Sequence, residues 1–141
     1  MMTPTLPNLP TLLLQHLLTQ NMPTVNPISS TQVAQLKQEL EAQQGQLTEL
    51  TILSSYDKSQ VLAALVQAYQ LPASFGANFD ALYDGLTDQD FVLEGLQALC
   101  IVGLGESQLN AVERESLLDV LADVAAFWQD NNVQFLIFKV E

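Results

Sequence analysis

The apolar residues of this chain fall into two kinds of run. Leu47 to Leu53 (LTELTIL), Ala98 to Leu104 and Val133 to Val140 are short, dense and rich in β-formers, as strands are. Ala98 to Leu104 is apolar throughout, the signature of a strand buried on both faces. Elsewhere the apolar residues recur at helical spacing. Val61, Leu62, Leu65, Val66 and Tyr69 make one stripe, opened by the capping-box pattern Asp57-Lys58-Ser59-Gln60 and closed by Leu71-Pro72. Asn78 to Leu86 reads as a short helix. Val112 to Gln129 reads as a long one, with Leu117, Leu118, Leu121, Val124, Ala125 and Trp128 facing inward, and Asn131-Asn132 supplies the turn after it.

Strand, helices, strand, helix, strand implies parallel pairing through crossover connections. The expected fold is therefore α/β: a three-stranded parallel sheet packed with helices, over residues 47–141. Residues 1–46 read differently. Pro4, Pro7, Pro10, Pro23 and Pro27 fall there, leaving only Pro72 beyond. Thr11 to Gln20 can form a short amphipathic helix. Ser30 to Gln44 predicts a second one, with Ser30 or Thr31 as cap and Val33, Leu36 and Leu40 on its apolar face. This part is expected to be a helical N-terminal extension that packs on the domain, self-associates or forms a tail.

Charge then narrows the function. There are 16 acidic residues against 4 basic ones, a formal net charge of −12. Such a field repels phosphates, so nucleic acid is an unsuitable partner and a cationic one is favoured. Cys100, the only cysteine, lies inside Leu99-Cys100-Ile101-Val102, where it reads as a small buried hydrophobe and not a nucleophile. An intramolecular disulfide is excluded, which suits a reducing compartment. The only histidine, His16, lies far from it and reads as a surface or interface residue, so neither a triad nor a metal site is expected. The apolar stretch Leu12 to Leu18 has no positive segment before it and is too short to span a bilayer. The expectation is a cytoplasmic protein with no membrane partner and no cofactor.

The chemistry concentrates between Leu71 and Thr87 (LPASFGANFDALYDGLT). Gly76 is expected to permit a backbone turn and Asn78 to cap the short helix. Phe79, Leu82 and Leu86 then share a face that must be buried. Asp80 and Asp84, four apart, share another, with Tyr83 between the two. The two carboxylates repel, and Asp84 faces the unfavourable end of the helix dipole. No lysine or arginine occurs between Ser59 and Glu113, a span that also holds Asp88, Asp90, Glu94 and Glu106. Asp88, Asp90 and Glu94 lie beyond the helix and are expected at the rim of the acidic surface. A solvated face is one reading of such a run. The other is a surface built for a cationic partner, because local rules broken without compensation tend to mark functional positions. An acid–base pair or a magnesium site is disfavoured, since nothing nearby would tune or complete it.

This segment resembles the barstar family, in its Leu-Pro, aromatic-Gly and Asn-x-Asp-Ala-Leu-aromatic-Asp pattern, and a weaker likeness extends over about residues 47–141. The resemblance implies a three-stranded parallel sheet flanked by helices. It also implies inhibition of a small basic ribonuclease of the barnase type, or of a toxin ribonuclease domain, by a helix that blocks the active site in an immunity role. Asp84 would mimic a substrate phosphate as the central anchor, with Asp80 as a second acidic contact and Tyr83 packing at the interface. Ser74, Phe75, Gly76, Asn78 and Thr87 belong to the same matched stretch, and Asp123 matches an outlying acidic contact. Ser74 departs from the aromatic common there, Gly85 replaces a larger residue, and the connection from Thr87 to Leu99 is longer. These departures bear on the identity of the partner. An interaction module that keeps the fold without inhibiting a ribonuclease is the alternative.

Overall fold

The computed structural model describes residues 25–140 of the chain. The strands are β1 (Val25–Ile28), β2 (Gln46–Thr51), β3 (Gln97–Val102) and β4 (Phe135–Val140). The helices are α1 (Ser30–Ala42), α2 (Lys58–Ala68), α3 (Phe79–Leu86) and α4 (Ala111–Asp130), with 3-10 turns at Ala73–Gly76 and Leu104–Glu106. All strands pair in parallel in one sheet of order β1-β4-β3-β2.

The α/β class and the parallel sheet agree with the sequence reading, with one correction: the sheet has four strands, not three. The fourth, β1, comes from the extension and pairs with β4, Val25 opposite Ile137 and Ile28 opposite Val140. Its sequence Val-Asn-Pro-Ile carries a proline, which weakens the strand signal; Pro27 sits in an edge strand, where a missing N–H is tolerated. The helix expected at Thr11 to Gln20, and His16, lie outside the described residues.

The route of the chain places the helices. From β1 at one edge, α1 carries it across to β2 at the other. The chain then returns inward through β3 to β4. Reversing direction with the same crossover hand moves the helices to the opposite face. Two apolar clusters reflect this. Leu99, Ile101, Phe135 and Ile137 face α2, α3 and α4, while the alternate residues Ala98, Cys100, Leu136 and Phe138 face Leu36 and Leu40 of α1. The central strands are thus covered on both sides, which explains their unbroken apolar runs. Cys100 is wholly enclosed, as a small hydrophobe; burial, with Glu49 adding a like charge, pushes its thiol up to about 11.

The capping residues act largely as the sequence indicates. Asp57 Oδ1 accepts from the Gln60 amide at 2.9 Å and Gln60 Oε1 accepts from the Asp57 amide at 2.9 Å. Asn110 and Glu113 form the same reciprocal pair at the start of α4. For α1 the cap is Ser29, one residue before the expected Ser30 and two before the expected Thr31.

Candidate partner-binding face

Helix α3 is a short amphipathic segment fixed at both ends. Asn78 Oδ1 accepts from the Ala81 amide at 2.7 Å, satisfying one of the orphan donors of the first turn. At the other end the Trp128 indole donates to the Leu86 carbonyl at 2.8 Å, tying α3 to α4 inside the core. Thr87 Oγ1 donates to the Tyr83 carbonyl at 2.7 Å, closing another exposed end of the helix ladder. Leu82 and Leu86 are fully buried and Phe79 half-buried, as their spacing requires.

What remains outward is acidic. Asp80 and Asp84 are both exposed, and Tyr83, half-buried, leans on the main core cluster between them and the interior. The preceding 3-10 turn places Ser74 in solvent and Phe75 half-buried. So Phe75, Asp80, Tyr83, Asp84 and Ser74 come from one continuous loop–helix unit. Asp123 is exposed too, but on α4, a separate element against which α3 packs.

One glycine acts otherwise than the sequence suggests, and a second takes a role the sequence did not assign. Gly76 was expected to serve a backbone conformation, yet the positive-φ glycines among the described residues are Gly95 and Gly103. Gly76 is small because α2 is close: an added Cβ would stand 3.3 Å from Val66 Cγ2. Gly85 is buried within α3, and the Phe75 ring lies over it; a Cβ there would meet Phe75 Cγ at 2.6 Å and Phe75 Cβ at 2.8 Å. The notch in the helix is thus what seats the loop before it.

Sequence reasoning missed a cation. Lys58, on α2, holds its Nζ 4.7 Å from the centroid of the Phe79 ring, beside the acidic face. It precedes the cation-free span, and only the tertiary fold brings it to α3. Sequence reasoning also missed a groove of about 320 Å³ between the loop and the end of α3, lined by Leu71, Pro72, Phe75 and Phe91 with Asp88 and Asp90. Glycine at position 85, costly inside a helix by about 1 kcal/mol, was its one visible signal.

Among the described residues no group of three or more His, Cys, Asp or Glu is placed to hold a metal ion. No described helix is long and apolar enough to cross a membrane. The molecule is an α/β protein that displays an acidic helix capped at its start and hydrogen-bonded to α4 at its end. The model of the family described as Barstar (barnase inhibitor) matches residues 45–140, and the chain belongs to that family. It is a family of inhibitors, not of catalysts. The match covers β2 to β4 with all of α3, and it begins after α1. No curated protein matches the chain.

Proposed function

We propose that the chain inhibits a small basic ribonuclease of the barnase type, or a toxin ribonuclease domain, by laying the acidic face of α3 over the enzyme's active site. The observation that carries this reading is the pair Asp80 and Asp84, exposed on a helix whose two ends are locked by Asn78 and Trp128. A ribonuclease active site gathers cations to bind phosphate. Carboxylates held in advance meet them without ordering cost, and the net charge of −12 draws the enzyme in. Asp84, in the middle of the face, is the anchor. Asp80 is the second contact, Tyr83 the apolar neighbour that excludes water, and Ser74 and Phe75 the loop that borders the site. Asp123 lies at the margin. The role is that of an immunity protein, exerted in the cytoplasm of the cell that makes the enzyme, and it needs no catalysis by the chain itself.

A titration of RNA cleavage by a barnase-type ribonuclease against the full chain tests this. Activity should fall linearly to zero near equimolar inhibitor. No inhibition, with the enzyme still fully active at excess chain, would leave the interaction-module reading in its place.

A further inference from the structure

We propose that the groove beside α3 is a second anchor site, built to take an arginine side chain of the partner that covers α3. The inference rests on the reading of α3 as a docking face, and it adds a subsite which that reading does not contain.

The groove, about 320 Å³, has an apolar floor and an acidic edge. Its floor is fixed. Phe91 is clasped edge-on by Tyr69, with ring centroids 5.8 Å apart, and by Trp128 at 6.2 Å. Phe75 is seated in the notch at Gly85. The edge is fixed as well. Asp88 Oδ2 accepts the Asp90 amide at 3.0 Å, and the Phe91 amide donates to the Asp88 carbonyl at 3.0 Å. This tight turn holds the Asp88 carboxylate and the ring in place, with Asp90 exposed beside them. Asp88 is half-buried, not at a solvated rim as its position in the sequence suggested.

Among the described residues no cation lines the groove. Its occupant must therefore carry an apolar stem to cover two phenyl rings and a positive head to answer two carboxylates. A neutral apolar group would desolvate the carboxylates without a partner, and an anion would be repelled. Arginine fits better than lysine, because its planar guanidinium stacks on aromatic rings and donates paired hydrogen bonds to carboxylates. The groove also adjoins the docking face, since Phe75 and Gly85 line it while belonging to the loop–helix unit that carries Asp80 and Asp84. A basic partner seated on α3 borders it directly.

The test titrates the isotope-labelled full chain with N-acetylarginine amide and follows backbone amide signals by NMR. Shifts should be confined to Gln70, Leu71, Gly85, Asp88 and Phe91 and saturate in the millimolar range. The D88N/D90N variant should lose about tenfold or more in affinity. Asparagine keeps an acceptor for the Asp90 amide, so the turn survives the change. N-acetylcitrulline amide, the uncharged isostere, should produce no site-specific shifts. D84N should leave the titration unchanged while weakening ribonuclease inhibition, so the groove and the α3 reading fail in different variants. In complex with a barnase-type ribonuclease, D88N/D90N should speed dissociation about tenfold. Shifts centred on Asp80 and Asp84, equal response to citrulline, survival of binding in D88N/D90N, or an unchanged dissociation rate would each overturn the proposal.

Discussion

Gly85 sets helix propensity against packing. Alanine would improve α3 by about 1 kcal/mol as an isolated helix. In the folded chain its Cβ would stand 2.6 Å from Phe75 Cγ, on a ring already seated against the backbone. Overpacking of this kind costs about 1–3 kcal/mol. The expected outcome for Gly85→Ala is a net loss of about 1 kcal/mol. It should be accompanied by displacement of the loop that bears Ser74. Chemical denaturation checks it, in the parent and in a Phe75→Ala background, where the cost should shrink. A cost unchanged by Phe75→Ala would show that the notch does not seat the ring.

At the scale of the element, α3 is only eight residues long, too short to hold itself together in water. Its order comes from its cap and its neighbours. Asn78→Ala removes the acceptor for the Ala81 amide and should cost about 1 kcal/mol. Because Asp80 rides on the first turn, the same change should weaken binding more than a surface substitution elsewhere. Hydrogen exchange at the Ala81 amide would report the fraying; protection equal to the parent's would contradict it. This helix was legible in the sequence because its apolar spacing, its cap and its unpaired acids all point one way. Trp128 was legible as core, but its bond to the Leu86 carbonyl was not, since nothing in a sequence relates two residues on separate helices. The groove was invisible for the same reason: Leu71, Phe75, Asp88 and Phe91 are ordinary until the loop folds over Gly85.

At the scale of the molecule, the extension contributes to the sheet. Local pattern hid this: β1 is four residues with a proline inside, and the partner that makes it a strand is more than a hundred positions away. Helix α1 was readable from Leu36 and Leu40, whereas the face they cover was not. Deleting residues 1–46 would strip α1 and β1 from Ala98, Cys100, Leu136 and Phe138, while the α2–α3–α4 side would lose only Val25 of β1 and the sheet the first residue of β2. Buried leucines contribute about 1.5–3 kcal/mol each, so the truncated chain should melt several degrees lower and bind a hydrophobic dye. It should keep its affinity for the ribonuclease. An unchanged melting temperature would show that the second face needs no cover.

On the proposed reading, α3 docks on the enzyme through Asp84. Truncating one member of a buried charge pair leaves the other unpaired and costs about 2–5 kcal/mol, a range for which the barnase–barstar complex is itself the reference case. In the unbound protein Asp84 is exposed, four residues from Asp80 and near the carboxyl end of the helix, so its loss should not destabilise the fold. The deciding measurement is the dissociation rate of the Asp84→Ala variant from a barnase-type ribonuclease, with its melting temperature measured alongside. Dissociation should be faster by about two orders of magnitude or more, with a melting temperature at or slightly above the parent's. A variant that dissociates as slowly as the parent, or that no longer folds, would contradict it.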